Sequence, residues 1–140
     1  MHKVLMIGAA VVFAAGAAGA GAHGSMSDQR VKDMKTIGGA MKAIGDGEGD
    51  AVAHAKTVNM LAQGLHAKFP EGSMEYRAKA NIWSDAEGFK KSMDEMVAAS
   101  ENLVDAAMTG DRSKTLAALG ATGKTCKSCH ETYRGPKPGE

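Results

Sequence analysis

Cysteine is nearly missing from this chain. It has two in 140 residues, both inside one five-residue stretch, so there is no disulfide framework. A bridge between them would close a loop too tight to constrain the unfolded chain much. Aromatics are scarce too: three Phe, two Tyr and one Trp. A core built from side chains alone is therefore thin. Neither sign of charge dominates, with 17 Lys+Arg against 16 Asp+Glu, so nothing marks a nucleic-acid-binding surface. No segment alternates apolar and polar residues over a strand's length, which leaves helices as the only regular element. After the first 22 residues no apolar run is long enough to span a bilayer.

The first 22 residues read as a secretory signal. A short basic start, Met1-His2-Lys3, leads into an apolar stretch from Val4 to Ala18. Ala18-Gly19-Ala20 and Ala20-Gly21-Ala22 then offer small-x-small cleavage sites. The apolar part falls short of the ~20 residues of a membrane anchor. The expected product is an exported, periplasmic protein with one domain over 23–140, His23 near its start and no membrane segment. Removing Lys3 with the signal leaves it formally neutral.

The two cysteines stand in Cys126-Lys127-Ser128-Cys129-His130. This CxxCH pattern reads as a c-type haem attachment site. Residues at i and i+3 share a helix face, so both sulfurs can meet one edge of a flat macrocycle. The adjacent imidazole then becomes the proximal iron ligand. A zinc site needs more ligands than one histidine supplies. A thioredoxin-type dithiol follows a strand, and none precedes Thr125. The expected cofactor is one covalently bound haem c per chain, held by Cys126 and Cys129 with His130 on iron.

Four segments carry a helical repeat. The first runs from about Ser27 to Ile44 with Met34, Ile37, Met41 and Ile44 in step. The second spans about Asp50 to Phe69 with Ala55, Val58, Ala62, Leu65 and Phe69. The third starts near Ser84, where Ser84-Asp85-Ala86-Glu87 has the form of a capping box. Its stripe is Phe89, Met93, Met96, Ala99 or Ser100, Leu103 and Ala107. The fourth covers about Asp111 to Tyr133 with Leu116, Leu119, Gly123, Cys126, His130 and Tyr133. Short connections favour antiparallel neighbours, so the expected fold is an all-α, up-down-up-down four-helix bundle with the haem between helices. The longer link from Phe69 to Trp83 is expected to shield one side of the cofactor. Haem burial would supply missing apolar contact at ~25 cal/mol per Å2.

A haem motif on the last of four helices resembles the cytochrome c′ / cytochrome c-556 family, the class II c-type cytochromes. The landmarks are Arg30-x-x-x-Met34, Phe69-Pro70, Ile82-Trp83-Ser84-Asp85 and Gly123-Lys124-x-Cys126-Lys127-x-Cys129-His130-x-x-Tyr133-Arg134. The resemblance implies that the first helix builds the distal face. In the c-556 type a first-helix methionine binds iron and gives a low-spin electron carrier. In the c′ type that position is open and admits nitric oxide or carbon monoxide.

Met34 matches the distal position and is the expected sixth ligand; a thioether favours ferrous iron. Core filler is the alternative role for any methionine in a chain with ten of them. Met41 shares the face but lies two turns along the axis. Arg30, one turn before Met34, is placed to pair with a haem propionate, and Trp83 and Phe69 to pack near the macrocycle. His54 and His66 fit no compact metal spacing. Lys124, Lys127, Arg134 and Lys137 form either a basic collar for an acidic redox partner or a solvated helix face.

The resulting expectation is a one-electron carrier rather than an enzyme. Its partners are a redox donor and acceptor, plus the cytochrome c maturation machinery. Nucleic acid is not among them. Members of the family often dimerise through the first two helices, so a homodimer is one expected state. The rival readings are an open-site gas-binding cytochrome c′ and a cofactor-free helical protein whose CxxC acts as a thiol switch.

Overall fold

The computed structural model describes residues 19–137, with side chains from residue 26 onward. The signal segment at 1–22 falls mostly outside these residues. Among the described residues five helices follow one another: α1 (Gly19–Asp46), α2 (Ala51–Leu65), α3 (Asn81–Ser84), α4 (Ala86–Met108) and α5 (Arg112–Tyr133). A 3-10 turn, His66–Lys68, extends α2. Among the described residues there is no strand, only an isolated antiparallel bridge between Ala78 and Arg134.

The four long helices pack in sequence order, α1 on α2, α2 on α4, and α4 on α5, which is an antiparallel bundle. α1 and α5 close the ring but touch each other least. α2 buries Ala55, Val58, Ala62 and Leu65; α4 buries Phe89, Met93, Met96, Ser100, Leu103 and Ala107. Both stripes match the periodicity read from sequence. Ser100 sits in this apolar row with its polarity satisfied: it donates to the Val97 carbonyl and accepts from Asn59 Nδ2.

α1 differs from the sequence reading by a rotation. Its buried stripe is Arg30, Asp33, Ile37, Ala40 and Ile44, one residue out of phase with Met34 and Met41 on the flank. α5 differs as well. Leu116 is exposed, and the buried row is Thr115, Thr122, Cys129 and Tyr133. The two threonines fit because their hydroxyls donate to carbonyls of the preceding turn and of α4. Thr122 Oγ1 reaches Ala118 O at 3.0 Å and Ala99 O at 3.2 Å.

Helix starts are fixed by aspartates. Asp50 accepts from the amides of Val52 and Ala53, and Asp111 from that of Lys114. α4 begins one residue later than the capping box implied. Asp85, not Ser84, is the N-cap, accepting from Gly88 N, while Ser84 ends α3. Asp85 does a second job: Tyr133 Oη on α5 donates to its other oxygen at 2.8 Å. Gly88 makes room for both, because a Cβ there would lie 2.4 Å from Asp85 Oδ2 and 2.7 Å from Tyr133 Oη.

Candidate haem site

Apolar packing divides into two clusters. One gathers Ile44, Ala55, Leu103 and Ala107 where α1 ends and α5 begins. The other, at the opposite end, surrounds a cavity of about 660 Å3. That size is within the ~300–1,000 Å3 of sites that enclose a cofactor-sized molecule.

Each wall comes from a different element. α5 contributes Gly123, Cys126, Cys129, His130, Tyr133 and Arg134. α1 contributes Arg30, Val31, Met34, Lys35, Ile37, Gly38 and Met41. Phe89, Met93 and Met96 of α4 form the back. The link before α3 closes the end with Phe69, Tyr76, Arg77 and Ala78, joined by Ile82 of α3. The wall is mostly carbon. Three aromatics stand in a row there: Phe69 lies edge-on to Phe89 at 4.8 Å, and Phe89 edge-on to Tyr133 at 5.1 Å.

The CxxCH residues therefore meet one cavity, as i, i+3 and i+4 positions on a helix must. Cys129 is buried and Cys126 partly so, both with free thiols. Burial pushes the Cys126 thiol above its ordinary range. Burial and the neighbouring sulfur push Cys129 up to about 11. Both thiols are thus protonated at neutral pH in the bare polypeptide, unlike the thiolate of a redox switch. Burial, then the charges of Arg134 and Arg77, lower the pKa of His130. The imidazole is accordingly neutral, the form that ligates metal. Among the described residues no hydrogen bond reaches its ring; Arg134 and Arg77 are its charged neighbours.

Met34 lies half-buried on the α1 wall of the same cavity. Met41, expected to sit too far along the axis, lines it too, as do Met93 and Met96. Arg30 is engaged by the link between α2 and α3. It is buried, with Nη1 donating to Lys68 O and Ser73 Oγ and Nη2 to the carbonyls of Ser73 and Glu75. Its guanidinium also stacks over Phe69, 4.4 Å from the ring centre. Four of its five N–H donors hold the link in place, leaving Nε–H for anything in the cavity. Trp83 is absent from the wall and instead donates from Nε1 to Phe69 O at 3.2 Å, tying α3 to the link. His54 and His66 join no metal-ligand cluster among the described residues. Of the collar cations, Lys127 faces Glu131 and Arg134 lines the cavity.

Sequence reasoning missed Tyr76 and Arg77. Both carry a left-handed backbone, φ 54° and 75°, and both line the cavity. No local residue pattern signals either one. Only the return of the link to the end of α5 brings them there.

An apolar cavity with two thiols on one helix face and a neutral imidazole beside them suits a covalently attached haem. Comparison with known proteins agrees. The sequence profile of the cytochrome c′ family matches residues 25–134, and the chain belongs to that family. It is 36% identical over 117 residues to a cytochrome c′ of Pararhodospirillum photometricum, covering 76% of this chain and 94% of that one. It is 34% identical over 116 residues to a cytochrome c-556 of Agrobacterium tumefaciens, with the same two coverages. A cytochrome c′ described for an unusual ligand-controlled dimer dissociation superposes with a TM-score of 0.76 at 27% identity, covering 81% of this chain and 97% of its own. Covalently bound haem c is the cofactor of this family, one per chain.

Proposed function

We propose that this protein is a periplasmic one-electron carrier in which Cys126 and Cys129 hold haem c, His130 is the proximal ligand and Met34 the distal one. The observation that carries the reading is that Met34 of α1 and His130 of α5 both line one apolar cavity. Bound there, haem c supplies a ferric–ferrous couple. The chain's residues do the rest. The two thioethers fix the group to α5. The neutral imidazole of His130 offers a nitrogen lone pair, and the thioether of Met34 a soft ligand that favours the reduced state. Phe69, Phe89 and the methionines keep water out and lower the local dielectric, which also favours the less charged ferrous form. No bound substrate or proton transfer is needed, so the function is transfer rather than catalysis. Arg30 acts mainly on the link, with Nε–H its one remaining contact for a propionate.

Export rests on the leader at 1–22; among the described residues no helix is long and apolar enough to cross a membrane. The redox partners are proteins, and loading requires the cytochrome c maturation machinery.

A second reading is supported by one specific feature. A Cβ built at Gly38, on the distal wall, meets nothing within 4 Å. The lack of a side chain there leaves room for a small gas ligand beside the cavity, and one solved relative is described for a ligand-controlled dimer dissociation. The ferric absorption spectrum separates the two readings. A low-spin spectrum with a methionine-to-iron band, lost in Met34→Ala, supports the carrier. A five-coordinate, high-spin spectrum unchanged by that substitution supports the gas-binding form.

A further inference from the structure

The link between α2 and α3 doubles back along the end of α5. A helix leaves its last carbonyls without intrahelical partners, and here the link supplies them. Lys79 N donates to Tyr133 O at 3.1 Å, and Lys79 Nζ and Asn81 Nδ2 both donate to Thr132 O. Arg77 grips the next residues from both sides. Its carbonyl accepts from Gly135 N at 2.7 Å, and its Nε donates to Gly135 O at 2.7 Å and Pro136 O at 3.0 Å. This grip requires the left-handed backbone at Tyr76 and Arg77. Such a conformation is disfavoured for a non-glycine residue and persists only where the surroundings enforce it.

The clamp would be a plain helix cap were it not for where its arginine stands. Arg77 is half-buried and lines the cavity, as Lys79 does not. Nε donates to carbonyls, and the charge of the guanidinium acts on His130, one turn inside the clamped end. An arginine charge is permanent at all working pH values. Reduction of iron removes one positive charge, so a fixed cation close by and partly shielded from solvent favours the reduced form.

We propose that Arg77 is a positioning residue for the proximal side: it locks the last turn of α5 and so the attitude of His130, and its charge raises the reduction potential of the bound iron. The inference rests on His130 being the proximal ligand.

The test compares holo-proteins matured in the periplasm, each first checked by mass for one covalent haem. Arg77→Gln is expected to lower the midpoint potential. Arg77→Lys, which keeps the charge, returns most of it. Lys79→Gln removes a cation from the same clamp but off the cavity; it is expected to lower the melting temperature and leave the potential near wild type. Should Arg77→Gln not accumulate, Arg77→Met, which retains an apolar stem against the wall, carries the same comparison. A fall in melting temperature with a potential equal to that of Lys79→Gln overturns the proposal and leaves Arg77 as a cap. Wild-type protein without haem would sink the attachment reading instead, a result distinct from any potential.

Discussion

The two ends of this bundle are built on opposite plans. Where α1 ends and α5 begins, Ile44, Ala55, Leu103 and Ala107 meet with almost no exposed surface. Small and branched side chains fill that space, and nothing further is required. At the other end stand Phe69, Phe89, Tyr133 and four methionines, the large and adaptable side chains, yet they surround a hole. Large, adaptable side chains around a cavity of this size suit a core that a bound group completes. The closed end makes the fold, and the open end makes the site.

The sharpest way to break that contrast is to remove the attachment. A Cys126→Ser, Cys129→Ser double variant is expected to lose covalent haem entirely. Amide exchange should then speed up around Phe89, Met93 and Tyr133 while protection near Ile44, Ala55 and Leu103 persists. Equal loss at both ends would show that the closed end does not stand alone.

Cavity-forming changes come next. Leu103→Ala, in the closed end, should cost about 2–5 kcal/mol in denaturant unfolding of the holo-protein and leave its absorption spectrum intact. Met34→Ala, in the open end, should do the reverse, changing the spectrum with a smaller loss of stability.

A third comparison concerns the polar ties of the open end. Gly88→Ala pushes a methyl into the Asp85 and Tyr133 contact. It should cost about 1–3 kcal/mol, the penalty of leaving the buried Tyr133 hydroxyl unpaired. Asp50→Ala, at the start of α2 near the closed end, removes only a cap and should cost about 1 kcal/mol.

The last comparison is in pH. Burial and the bond to Asp85 raise the phenol of Tyr133 to about 12 from an ordinary value of 10. The unfolded state then loses this proton first as pH rises. Stability from this group is complete below pH 10 and is lost between 10 and about 12. Tyr133→Phe should flatten that part of the stability curve, followed by circular dichroism.

Much of this was legible in the sequence, for reasons that differ by element. The stripes of α2 and α4 were read correctly because apolar side chains at three- and four-residue steps are a direct imprint of burial. Cys126, Cys129 and His130 were legible as a motif because their chemistry fixes their spacing. On α5 the pattern misled. Leu116 looked like core, but Thr115 and Thr122 took the buried row, since a threonine that bonds backward to its own helix is as buriable as a valine of the same shape. Arg30 was legible by position, but its contacts with the carbonyls of the link were not, because no local pattern encodes that path. Arg77 was invisible for the same reason: its role depends on where the link returns, 57 residues along the chain from Arg134.

The most direct test of the whole account is the mass of the denatured protein recovered from the periplasm. One haem added to a chain cleaved near residue 22, with neither Cys126 nor Cys129 open to alkylation, is the expected result. A bare chain with both thiols reactive would contradict it.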